Sequence, residues 1–136
     1  MPPPSWFRRS PGHHLARTRR LRLAAHALMA ACEDGSVDGI ARLLSRDAEL
    51  LVDGGGAIPA PVHGVQGAIP IAATILGILS LFPDVTVRPA DVNGMPALSL
   101  RSQSRVVGVI ALAVQRRRIS HLWLTVNPDK LEHWNR

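Results

Sequence analysis

A chain of 136 residues, 46% hydrophobic and 19% charged, has room for one domain with a core of its own. Its single cysteine excludes an intramolecular disulfide and any multi-cysteine metal site, and fits a reducing, cytoplasmic setting. The net charge of +6 belongs to one end, because residues 1–22 hold six arginines and no acid while the other 114 residues hold ten basic and ten acidic side chains.

The body is therefore neutral. With no tyrosine, two phenylalanines and three tryptophans, it offers little platform for stacking single-stranded bases. Residues 1–12, MPPPSWFRRSPG, are rich in proline and arginine and have no periodicity. Residues 1–19 are expected to form a basic, unstructured leader to a domain at 20–136. The stretch TRRLRLAAHALMAAC has the outline of an export signal, with paired arginines, an apolar run and a cysteine. Its apolar run is short and broken by His26, and cleavage at Cys32 would remove a helix. That helix is expected from about His14 to Glu33, where Leu21, Ala24, Ala25, Leu28 and Cys32 recur at helical spacing. Asp34 and Gly35 end it. Ser36 is placed to cap a short second helix with Asp38 in its first turn. Val37, Ile40, Ala41 and Leu44 would be its buried stripe.

AELLVD, residues 48–53, predicts a strand that runs into Gly54, Gly55 and Gly56. AIPAPVHG, residues 57–64, carries two prolines and suits a loop or an edge strand. A third helix is expected over Ala68–Phe82, with Pro70 in its first turn, where the missing N–H does little harm. Its 15 residues, interrupted by Thr74, Gly77 and Ser80, predict a buried helix and no membrane span.

After Pro83 the period becomes two. VTVRPADV and PALSLRS flank Asn93-Gly94, a strong hairpin-turn signal. RVVGVIALAV and RISHLWLTV flank QRR, a second hairpin. The order is helix, helix, strand, helix and four antiparallel strands. It predicts an α+β fold with a curved, mainly antiparallel sheet wrapped around three helices. This order resembles that of the cone-shaped domains typified by nuclear transport factor 2 and the SnoaL-like polyketide cyclases.

Two motifs narrow the resemblance. Asp53-Gly54-Gly55-Gly56 follows the first strand, and Asn127-Pro128-Asp129-Lys130-Leu131 follows the last. Together with ACEDGSVDGIARLLSRDAELLVDGGG, VRPADVNGMPALSL and VVGVIALAVQRRRISHLWLTVNPDKLEH, they resemble the C-terminal SnoaL-like domain of SigJ-like extracytoplasmic-function sigma factors of actinobacteria. The likeness covers roughly residues 20 to 134. It implies a regulatory or ligand-sensing domain that contacts sigma regions or RNA polymerase through these two motifs. It also implies a homodimer through an exposed sheet face. The twenty residues ahead of the body are too few for a helix-turn-helix, so the chain is not expected to recognise a promoter by itself.

The residues also have a plain physical reading. Glycines permit positive φ and close backbone approach. Asn127 before proline is pushed toward an extended backbone, and Pro128 and Asp129 suit the first turn of a helix. Leu131 and Trp134 would then fold back on the body as a docked latch.

The alternative is a small cyclase or isomerase acting on an apolar metabolite in the hollow of the cone. That chemistry needs a carboxylate or imidazole in an apolar pocket. The candidates are His121 and Asp53, followed by Asp91 and His63. Strict alternation would place Ile119, His121 and Trp123 on one face, and His121 would serve as base if that face lined the cone. Asp91 is expected to shape the Asn-Gly turn and His63 to cap or face solvent. No acid–base dyad, Ser-His-Asp set, phosphate loop, cofactor motif or metal-ligand cluster stands out, and His13-His14 alone is no metal site.

Overall fold

A computed structural model describes residues 11–56 and 64–136 of the chain, and the side chains from Leu15 onward. The first ten residues of the expected leader, most of AIPAPVHG and His63 lie outside the described residues, as do the side chains of His13 and His14. The elements are α1 (Pro11–Asp34), α2 (Val37–Ala41), β1 (Leu44–Asp53), β2 (Val65–Gln66), α3 (Ala68–Leu79), β3 (Thr86–Val92), β4 (Met95–Ser102), β5 (Arg105–Gln115) and β6 (Arg118–Thr125). A 3-10 helix, Pro128–Asn135, follows β6.

α1 starts at Pro11, three residues ahead of the expected start and inside the basic leader. Proline suits a helix's first position because the N–H it lacks would have no partner there. Leu21, Ala25, Leu28 and Cys32 form the buried stripe, and Gly35 stops the helix at φ +66°. Ser36 caps α2 as expected, its hydroxyl accepting from the Gly39 N–H at 3.0 Å. α3 stops at Leu79 rather than running to Phe82, and Ser80 hydrogen-bonds back to the Gly77 carbonyl at 2.6 Å. None of the helices described is long and apolar enough to cross a membrane.

The six strands form one sheet in the order β2-β1-β6-β5-β4-β3. Every neighbouring pair is antiparallel except β1 and β6, which run parallel. Its inner face carries Leu50, Leu98, Leu100, Ile110, Leu112, Leu122 and Leu124 against α1, α2 and α3 in one apolar cluster. Full burial of each such side chain is worth about 1.5–3 kcal/mol, so this cluster is what holds helices and sheet together.

Two bulges decide which residues reach the outer face. β6 has one extra residue against β5 at Ser120, since Val114 pairs with Ile119 but Ala113 pairs with His121. A bulge reverses the alternation beyond it. Ile119 is 1% exposed and belongs to the core with Leu122 and Leu124. His121 and Trp123 are half-buried on the opposite face. The expected common face for Ile119, His121 and Trp123 is thus corrected: alternation fails at Ser120. A second bulge lies in β5 at Val107, where Leu100 pairs with Gly108 and Arg101 with Val106. It brings Val106 and Val109, three residues apart, into one small outer cluster with Leu131.

Three two-residue turns join β3 to β6. Their central residues are Asn93-Gly94 (φ 51° and 79°), Gln103-Ser104 (51° and 69°) and Arg116-Arg117 (51° and 68°). This left-handed pair matches the right-handed twist of a hairpin. Asn and Gly adopt it cheaply. Two arginines do so at a cost of about 1–2 kcal/mol per residue.

Candidate functional site

Parallel pairing of β1 with β6 places the two motifs side by side. Asp53 stands opposite Thr125, and the Val126 N–H donates to the Asp53 carbonyl at 2.8 Å. The chain leaving β1 through the glycines therefore emerges beside the chain leaving β6 through Asn127. Residues more than seventy positions apart meet at one end of the sheet.

Asn127 is extended, at φ −80° and ψ 112°, and caps the 3-10 helix by accepting from the Asp129 N–H at 3.1 Å. Its amide nitrogen donates to Asp53 Oδ1 at 3.4 Å. The same oxygen accepts from the Gly55 N–H at 3.2 Å. Lys130 Nζ donates to Asp53 Oδ2 at 2.5 Å. The Lys130 bond holds the Asp53 carboxyl below its ordinary value of 3.8; burial opposes it, and the Lys130 charge and then the Asn127 and Gly55 bonds add to the lowering. Gly55 has φ +59°, and a Cβ there would lie 2.3 Å from Asn127 Cγ. A side chain at this position would collide with the asparagine, so glycine here answers both a backbone and a packing demand. Gly54 is buried; Gly56 is exposed at φ +81° with open space around its α-carbon. Pro128 takes the first position of the 3-10 helix and Asp129 its first turn.

Beyond Lys130 the helix docks. Leu131 is 3% exposed against Val106 and Val109, with Val92 and Trp134 packed around them. Asn135 then pins the end of the helix. Its Oδ1 accepts from the Val106 N–H at 2.7 Å, and its Nδ2 donates to the Val106 carbonyl at 3.0 Å. The latch expected at Leu131 and Trp134 is present. Asn135 was missed because a polar residue near a terminus carries no local pattern that announces a partner 29 positions away.

Lys130 also borders open ground on both sides. One groove, of about 270 Å³, is lined by Leu51, Val52, Asp53, Trp123, Thr125 and Lys130. The other, of about 610 Å³, includes Asp91, Asn93, Val109, Lys130, His133 and Trp134. Both lie at the edge of the latch, on the outer side of the sheet.

The remaining candidates are scattered. His121 stacks on Trp123, with centroids 5.8 Å apart and planes 14° apart, and its Nδ1 is 3.0 Å from Ser120 Oγ. It faces away from the helices. Asp91 is exposed, opposite Pro96 in the β3–β4 ladder. Among the described residues, the buried polar side chains are Ser99, Ser102 and Ser120, with no carboxylate or imidazole. No group of three or more metal-ligating side chains occurs among them.

No family model and no curated protein matches the chain in sequence. Solved structures do match in fold. The extracytoplasmic function sigma factor SigJ of Mycobacterium tuberculosis superposes with a TM-score of 0.63 at 23% identity, over 83% of this chain and 44% of that one. This chain thus spans less than half of that sigma factor's length. An NTF-2 like protein of unknown function from Burkholderia xenovorans gives 0.57 at 16% identity, over 82% and 85%. An LEH-like epoxide hydrolase of Mycobacterium tuberculosis gives 0.53 at 15% identity, over 83% and 86%. The fold is that of the nuclear transport factor 2-like proteins, and it is shared by a sigma factor and an enzyme alike.

Proposed function

We propose that the chain is a non-catalytic SnoaL-like regulatory domain that acts in the cytoplasm by contact with an extracytoplasmic-function sigma factor or RNA polymerase. The observation that carries this reading is the clasp itself. Asp53 is bonded to Gly55, Asn127 and Lys130, so the two motifs that resemble the sigma-factor domain form one surface. The fold likeness to SigJ supports it. So does the polar inventory of the interior, where the described residues bury three serines and no carboxylate or imidazole. Proton-transfer chemistry in the cone would need such a group turned inward.

The partner would meet the latch and its two flanking grooves, with Trp123, Leu51 and Trp134 as apolar contacts and Lys130 between them. The test is capture of purified sigma factors and core polymerase by immobilised protein, with Lys130→Glu and Asn127→Ala as variants. Capture by the wild type that falls at least fivefold in both variants, with both still folded and melting within a few degrees of the wild type, is the expected result. Capture by none of the three proteins, or equal capture by all, would remove the reading.

A further inference from the structure

The opposite end of the β1–β6 pair is built differently. Five of the ten cationic side chains of the neutral body gather there: Arg42 after α2, Arg46 in β1, and Arg116, Arg117 and Arg118 at the β5–β6 turn. All five are exposed. Among the described residues the one ion pair is Lys130–Asp53, at the other end, so none of these guanidiniums has a carboxylate within 4.0 Å. Arg118 is held in place, its Nη1 donating to the Arg42 carbonyl at 2.6 Å.

The ladder is irregular at the same place. β1 pairs with β6 at Leu44–Ile119 and next at Glu49–His121, so residues 45–48 stand against Ser120 alone in an irregular register, with the Ser45 hydroxyl donating to the Ile119 carbonyl at 3.4 Å. Beside it lies an open groove of about 590 Å³ lined by Ser45, Arg46, Asp47, Gln115, Arg116, Arg118 and Ser120. Its size falls within the usual range for small-molecule sites, about 300–1,000 Å³. Guanidinium forks suit phosphate oxygens, which they bind in pairs.

We propose that this arginine-lined groove binds a small, multiply charged phosphate compound, such as a polyphosphate chain or a phosphate ester. Arg46, Arg116 and Arg118 would take the phosphate oxygens, with the Ser45 and Ser120 hydroxyls at the groove wall. Asp47 would accept from a hydroxyl of an ester's organic part. A concave patch with an acid inside it fits a compact anion better than a nucleic-acid backbone, which needs an extended basic track. The site is independent of the clasp and of the regulatory reading.

The turn itself supplies the test. Arg116→Asn with Arg117→Gly keeps the backbone form seen at Asn93-Gly94 and eases the left-handed strain, so lost binding cannot be ascribed to unfolding. Calorimetric titration of the full chain with inorganic tripolyphosphate and with adenosine triphosphate distinguishes a bare phosphate chain from an ester. The expected result is saturable one-to-one binding of at least one probe, weakened at least tenfold by the double variant and by Arg46→Ala. Binding should be unchanged by replacing Arg8, Arg9, Arg19 and Arg20 with glutamine. Three results would overturn the proposal: no binding of either probe, binding indifferent to the groove variants, or tighter binding of a DNA oligonucleotide or a polyglutamate peptide than of both probes.

Discussion

The two ends of the β1–β6 pair use the same strands for opposite ends. They stand roughly 25 Å apart, eight residues of β6 at about 3.3 Å each. At one end, opposite charges meet and nearly every polar atom named above has a partner. At the other, like charges crowd an irregular stretch of the ladder. The difference lies in how charge is handled: one end pairs its charges within the chain, while the other leaves five guanidiniums with no carboxylate of the described residues within 4.0 Å.

The sharpest way to break the first end is to empty its anchor. Leu131→Ala should cost about 2–3 kcal/mol, because a buried leucine is truncated against Val106 and Val109. Urea denaturation would measure it, and loss of the 3-10 helix should appear as faster amide exchange at Val106. Gly55→Ala should cost about 2 kcal/mol, from left-handed strain and the collision with Asn127. The same substitution at Gly56, which has open space but also a positive φ, should cost less; equal costs would mean that the asparagine contact contributes nothing.

At the other end the sign reverses. Arg116→Asn with Arg117→Gly should raise stability by about 1 kcal/mol, read as a higher melting temperature. A fall instead would show that the arginines are structural.

The Asp53–Lys130 pair should matter least to stability. Its side chains are 38% and 49% exposed, and pairs of that kind are worth under about 1 kcal/mol. Its pH dependence is specific. Asp53 is held below its ordinary value of 3.8, so its contribution is complete above that value and is lost as pH falls through the lower folded value. Wild type and Lys130→Ala should therefore converge in stability as the solution is acidified, as followed by thermal melts.

Most of the fold was legible because it rests on local period. The stripe on α1, the Ser36 cap, and the Asn93-Gly94 hairpin each need only a few adjacent residues to announce themselves. The bulge at Ser120 does not, because nothing in RISHLWLT distinguishes an inserted residue from a paired one. That single residue moved His121 off the face expected from alternation. The second hairpin was legible as well, from QRR between two branched strands; only its length differed, because Gln115 pairs with Arg118 and the turn is the left-handed pair Arg116-Arg117. Both motifs of the clasp could be found in the sequence, but not their meeting. That depends on β1 and β6 being parallel neighbours, which is a property of topology and not of either segment.

The place of β6 in the sheet has a temporal consequence. It is the strand that joins the β2-β1 half to the β5-β4-β3 half. As the chain grows from its amino end, neither half has the other to pair with until residues 118–125 have been made. A nascent molecule must shield two sheet edges until then, and the sheet closes only once β6 has emerged.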